Sequence, residues 1–191
     1  MLHPHHLLVP RVLLQGVLAT IAMVHGPMVC GQNQSGITYD IIAKGVVLDE
    51  TTGDPIKGAM VIVRRDGLSQ DLVVTNAQGA YSLQLERGSQ YDISYSASGQ
   101  VPKRVSISTK GAPAKLDVPT LTMTVDINLF PKVNDLSMAL FEKPLGKAQY
   151  DSKSRNFVWD EAYGASMRAS IRLAMARYDA QLEKQEAVAG R

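Results

Sequence analysis

Between residues 42 and 129 short apolar runs alternate with clusters of turn-forming residues. The clearest run comes last. Met123, Val125, Ile127 and Leu129 alternate with Thr122, Thr124, Asp126 and Asn128, the period of two that turns one face of a strand to a core and the other to water. Tyr81, Leu83 and Leu85 repeat the pattern, as do Val105 and Ile107. Runs of this kind predict seven strands, at 42–49, 60–64, 71–75, 80–85, 91–97, 101–108 and 122–129. Strands this short and regular predict a mainly β, antiparallel two-sheet sandwich over 38–130, its sheets packed face to face. Between the runs lie Thr51-Thr52-Gly53-Asp54-Pro55, Asn76-Ala77-Gln78-Gly79, Arg87-Gly88-Ser89 and Ser98-Gly99-Gln100. Each supplies glycine freedom, a short polar acceptor or a proline-fixed φ where a hairpin needs one.

The pattern changes after Phe130 and Pro131. An irregular segment, 131–159, contains a turn signal at Lys143-Pro144-Leu145-Gly146 and a polar loop at 151–156. The residues flanking that loop, 148–150 and 157–159, are predicted to pair as a small hairpin. Asp160 is an N-cap, Glu161 suits the positive start of a helix, and 160–187 is rich in Ala, Met, Arg, Leu, Gln and Glu. Tyr163, Met167, Ile171, Met175, Tyr178 and Leu182 recur every three or four residues, one apolar stripe on a C-terminal amphipathic helix. Such a stripe packs on its own domain, docks a partner or forms a coiled coil. The basic residues beside it leave a membrane surface as a weaker reading, which Asp179, Glu183 and Glu186 oppose. Tyr150, Phe157, Trp159 and Tyr163 form an aromatic group at the helix start. It reads either as a satellite core beneath the helix or, through Tyr150 and Trp159, as a glycan-stacking platform.

The first thirty or so residues follow another rule. Arg11 precedes an apolar run over 12–24, and His25, Gly26 and Pro27 close it. This is the layout of an export signal over 1–31, with cleavage after Gly31 and the small residues Val29 and Gly31 before the cut. The run is shorter than the ~20 residues a membrane-spanning helix needs. No later segment approaches that length, so no transmembrane helix is expected in the mature chain. An uncleaved anchor or a buried N-terminal helix is the competing reading. Cys30 raises the alternative of a lipid anchor, although Pro27, Met28 and Val29 fit a lipidation motif poorly, and a lone cysteine makes no internal disulfide.

That leader changes the available chemistry. His3, His5, His6 and His25 are all four histidines of the 191 residues, so the mature chain would have none. Zinc centres of the usual kinds and imidazole-based triads then lack their ligands and bases. Carboxylate-only catalysis stays open in principle, but nothing marks out a pair of acids. Composition is ordinary for a globular protein, 45% hydrophobic and 20% charged with a net charge of +2. The charges are scattered, without the basic block of a nucleic-acid groove. The expectation is a protein that is not an enzyme, with no catalytic residue, no cofactor, no metal and no nucleic-acid partner.

Three stretches carry a family resemblance. G-V-V-L-D-E-T-T-G-D-P-I-K-G-A-M-V-I-V over 45–63, T-N-A-Q-G-A-Y-S-L over 75–83 and Y-D-I-S-Y-S-A-S-G-Q-V-P-K-R-V over 91–105 resemble, in order, the carboxypeptidase regulatory-like family. The resemblance implies a seven-stranded immunoglobulin/transthyretin-like sandwich. It also implies an exported setting, since such domains occur beside metallocarboxypeptidase catalytic domains and at the N-termini of outer-membrane transporters. It implies no peptidase activity, because the zinc domain is a separate unit. The expectation is an exported protein of the periplasm or the outer-membrane-associated envelope, structural or adaptor in role. Its partner would be an envelope protein such as an outer-membrane transporter or secretion component, with the C-terminal helix docking. Carbohydrate binding is the alternative, by fold analogy.

Overall fold

The computed structural model describes residues 41–113, 120–133, 137 and 139–189. The expected leader over 1–31, with its cleavage point and Cys30, lies outside them. Ten strands, a 3-10 turn and one α-helix follow in order among the described residues. The strands are β1 (Ile41–Asp49), β2 (Met60–Arg65), β3 (Leu68–Val74), β4 (Ala80–Leu85), β5 (Gln90–Ser96), β6 (Lys103–Ser108), β7 (Leu121–Thr124), β8 (Ile127–Leu129), β9 (Gly146–Asp151) and β10 (Asn156–Trp159). The 3-10 turn is Ala139–Glu142 and the helix, α1, is Glu161–Ala189.

The strands form two sheets, β4-β1-β7 with β8 continuing beside β1, and β10-β9-β6-β5-β2-β3. Their apolar faces share one core. Ile41, Ala43 and Val47 of β1 meet Val61, Val63, Tyr91, Ile93 and Tyr95 of the larger sheet, with Leu83, Ile107 and Met123. Alternation puts them there, since successive strand residues point to opposite faces and every second one is apolar.

The expected turns have local causes in the structure. The Asn76 carboxamide oxygen accepts N–H bonds from Gln78 at 2.9 Å and Ala80 at 3.0 Å, and Gly79 sits at φ +67°. A side chain at Gly79 would also press on the Val47 carbonyl, 2.5 Å from its Cβ. The third strand begins at Leu68, three residues before the expected start at 71. Asp66 (φ 50°) and Gly67 (φ 85°) make a two-residue hairpin loop directly after Arg65, the left-handed pair that Asp-Gly favours. The sixth strand begins at Lys103 rather than 101. Pro102 has no N–H to give a ladder, and the Val101 N–H goes to the Phe130 carbonyl at 2.8 Å.

Two further departures shape the molecule. The expected seventh strand, 122–129, is two strands broken at Val125 and Asp126, both parallel to β1. At the break the Val46 N–H bonds the Asp126 carboxylate at 3.0 Å and the Val125 N–H bonds the Lys44 carbonyl at 2.8 Å. Gly45 permits this close approach, because a Cβ there would stand 2.0 Å from the Val125 carbonyl oxygen. The expected hairpin forms, with Tyr150 opposite Phe157 and Ala148 opposite Trp159. It is no separate appendage: β9 pairs in parallel with β6, Val105 opposite Gly146 and Ile107 opposite Ala148. The sheet therefore runs past 130 to Trp159, and the sandwich is mixed rather than wholly antiparallel.

Candidate functional site

The six residues of the helical stripe face their own chain. Met167 and Tyr178 are 8% and 6% exposed, and Tyr163, Ile171, Met175 and Leu182 are half-buried. Tyr178 closes a second cluster with Val101, Phe130, Val133 and Phe141, against which Met175 and Leu182 pack. Phe130 stands at its centre, its ring edge-on to Phe141 at 5.1 Å and to Tyr178 at 5.0 Å. The Lys103 ammonium lies 4.8 Å over the Phe130 ring and pairs with Glu50 at 3.0 Å. At the helix start the Asp160 carboxylate accepts the Tyr163 N–H at 2.9 Å, the cap that the sequence called for. The Tyr163 hydroxyl donates to the Pro144 carbonyl at 2.6 Å, and the Lys147 ammonium sits 4.3 Å from the Tyr163 ring centre. A partner meeting the folded chain therefore does not meet this stripe as an open face.

The two expected stacking aromatics part company. Tyr150 is 9% exposed, edge-on to Phe157 at 5.9 Å and part of the inter-sheet core, so it offers no ring face to a sugar. Its position opposite Phe157 on the core side of the hairpin is the reason. Trp159 keeps 40% of its surface exposed and lies over Gly146, where a Cβ would come within 2.8 Å of the indole. Gly146 is therefore the seat of the tryptophan.

Sequence reasoning passed over the outward face of the larger sheet. Met60 lies opposite Val74 and Ile62 opposite Leu72. Their neighbours Val61, Val63 and Val73 point inward, so these four form an outward two-by-two block. Leu72 and Val74 are 58% and 55% exposed, and β3 is the last strand of its sheet. The signal was available in continuous runs, Ala59-Met60-Val61-Ile62-Val63 and Leu72-Val73-Val74, which are apolar on both strand faces. Farther across that sheet the surface turns polar. Gln90 donates to the Ser106 hydroxyl at 2.8 Å, and Ser106 donates to the Asp92 carboxylate at 2.9 Å. A groove there is lined by Gln90, Ser106, Ser108, Lys147, Gln149 and Asp160.

Two tyrosines inside the core and one carboxylate at its rim have altered ionisation. The Tyr81 hydroxyl donates to the Val125 carbonyl at 2.6 Å and lies 2.8 Å from the Tyr95 hydroxyl. With the Tyr81 proton so engaged, Tyr95 is the donor between them. Burial pushes Tyr81 up to about 12, the hydrogen bond from Tyr95 opposing in part. Burial raises Tyr95 further, with the neighbouring Tyr81 adding to it. Both are neutral in ordinary conditions and serve to satisfy the broken β7–β8 edge. At the rim, Asp49 is held below the usual carboxylate range, chiefly by the Thr51 N–H at 2.8 Å. Its other oxygen accepts from the Gln100 carboxamide at 2.9 Å.

Residues 43–124 match the sequence profile of the Carboxypeptidase regulatory-like domain family. The matched stretch holds the strand and turn motifs that carry the resemblance. No curated protein matches the chain. Among solved structures, chlorocatechol 1,2-dioxygenase from Pseudomonas putida is 15% identical, with a TM-score of 0.38 over 51% of this chain and 62% of that one. The 5-hydroxyisourate hydrolase of Klebsiella pneumoniae is 19% identical, with a TM-score of 0.32 over 48% and 91%. A candidate carbohydrate-binding protein from Bacteroides uniformis is 18% identical, with a TM-score of 0.35 over 60% and 49%. The chain spans about three fifths of the dioxygenase and 18% of the Bacillus anthracis TIE protein. Likenesses this distant carry no functional assignment. Among the described residues no helix is long and apolar enough to cross a membrane.

Proposed function

We propose, from the premise of a carboxypeptidase regulatory-like sandwich, that this is a non-catalytic module of the cell envelope that holds another envelope protein. The observation that carries the reading is the outward block of Met60, Ile62, Leu72 and Val74 beside the terminal strand β3. Contiguous apolar surface at a sheet edge gains from being covered, and an extended segment of a partner can both cover the block and extend the β3 ladder. The leader and the family resemblance support the periplasm or the outer-membrane-associated envelope as its place. A transporter or secretion component is the kind of partner that such a position serves.

The test is chemical cross-linking in native envelopes with the tagged full chain, followed by mass spectrometry, beside a Leu72→Lys/Val74→Lys variant. Both positions are exposed, so the variant keeps its fold. A protein captured by the native chain and lost from the variant is the expected result. Capture unchanged by the two lysines would remove the sheet edge as the docking site, and no enriched protein in either form would remove the adaptor role.

The polar groove supports a second reading, a carbohydrate-binding module. Gln90, Ser106, Ser108, Lys147 and Gln149 line it, and their hydroxyl and carboxamide groups are donors and acceptors of the kind that sugar hydroxyls use. Retention on a glycan array that Gln149→Ala and Lys147→Ala both diminish would support this reading, and a wild type retained by no glycan would end it.

A further inference from the structure

Helix α1 has a second face, turned away from Met167 and Tyr178. It carries Ala162, Ala169, Leu173, Ala176, Ala180 and Ala187, all exposed, with Leu173 at 56%. The steps between Ala169, Leu173, Ala176 and Ala180 are four, three and four residues, the spacing of a seam between two helices. Small side chains let two helix axes lie at the close end of the usual 8–10 Å range. Charge also differs between the two halves of the helix. Residues 161–174 carry Glu161, Arg168 and Arg172, and residues 175–189 carry Arg177, Asp179, Glu183, Lys184 and Glu186, so the first half is net positive and the second net negative.

We propose that a second copy of this chain docks on this face, the two α1 helices running antiparallel about a two-fold axis near residues 174 and 175. A parallel pair would set like halves on like, whereas the antiparallel pair sets the net-positive half of each helix on the net-negative half of the other. One register makes the seam self-complementary, as a two-fold interface must be. Leu173 of each copy then rests on Ala176 of the other, Ala169 on Ala180 and Ala162 on Ala187, with Ser166 opposite Glu183. The same register brings Arg172 of each copy beside Asp179 of the other. A slip of one heptad either way sets Arg172 against Arg172 or Asp179 against Asp179, so charge selects the register as well as the direction. Arg172 and Asp179 take no part in the ion pairs Arg65–Glu86 and Lys103–Glu50. The inference is independent of the sheet-edge adaptor reading, since it uses another surface.

The experiment is analytical ultracentrifugation of the full chain over about a hundredfold range of concentration, with circular dichroism confirming the fold of each variant. A reversible monomer–dimer equilibrium is expected, weakening as salt screens the charges. Arg172→Asp alone and Asp179→Arg alone each place two like-charge contacts in the seam. Each is expected to raise the dissociation constant about tenfold or more, and the double exchange to return it to within about threefold of the native value. A chain monomeric at every concentration would overturn the proposal. So would a dimer indifferent to both single changes, including one dispersed by Leu72→Lys instead, or a double exchange that fails to restore association.

Discussion

The inter-sheet core and the cluster beneath the helix are both apolar, but they are assembled by different rules. The core is filled by alternate residues of neighbouring strands, so each strand's own period of two decides which side chains enter it. The second cluster joins Val101 before a strand, Phe130 after one, Phe141 from a 3-10 turn and Tyr178 from the helix. No local period unites those four positions. The first core is thus specified many times over along the sequence, and the second hangs on one ring, Phe130, touched by both Phe141 and Tyr178.

The largest test of that contrast is Phe130→Ala. It is expected to cost about 3–5 kcal/mol, as large aromatic truncations in cores do. The loss should be uneven, and hydrogen exchange should find α1 opening well before β5 and β2. Equal loss of protection in both regions would mean that the two clusters form one cooperative unit. Next comes Gly45→Ala, which forces a methyl against the Val125 carbonyl and should cost about 3 kcal/mol in denaturant melts, at the upper end of overpacking. Here the strands β1 and β7 should suffer first and the helix contacts follow only on global unfolding.

Smaller effects probe the polar exceptions within each region. Tyr81→Phe leaves the Val125 carbonyl and the Tyr95 hydroxyl short of a partner and is expected to cost about 1–3 kcal/mol. The same pair sets an alkaline limit. Tyr81 ionises near 10.0 when unfolded and about 12 when folded, so its burial supports the fold fully below 10. That support is lost as pH rises from 10 through 12, because the unfolded chain releases its proton first. Thermal melts should hold from neutral pH to the region of 9 and fall above 10, and a melting temperature unchanged through pH 11 would contradict this. The smallest effect belongs to Asp160→Ala, which removes the cap on the Tyr163 N–H and should cost about 1 kcal/mol, confined to the first turn of α1 in exchange measurements.

The legibility of the sequence follows the same division. The strands and the turn at Asn76 to Gly79 could be read because each depends on residues within a few positions of one another. The Asp66-Gly67 loop was equally local, and its left-handed pair marks a hairpin that the polar run Ser69-Gln70-Asp71 obscured. The break at Val125 and Asp126 could not be read, because the apolar alternation runs through it unchanged and its cause lies at Val46, Gly45 and Tyr81. Nor could the docking of β9 on β6, since parallel pairing between distant strands leaves no pattern in either. Of the candidate site residues, the helical spacing of Tyr163 to Leu182 was legible but not which side of the helix would stay open. The fate of Tyr150 and Trp159 depended on where the hairpin docks, which set two aromatics of one hairpin at different depths.

The position of β1 also bears on when the fold can close. It is the first of the described strands to be synthesised and the middle member of its sheet, yet the bond from Val46 to Asp126 spans 80 residues. One flank of β1 therefore waits, as an open strand edge, until nearly the whole sandwich has emerged. Contacts so far apart in sequence slow folding. Until then an exposed, unpaired strand edge is the part of the chain most open to wrong pairing.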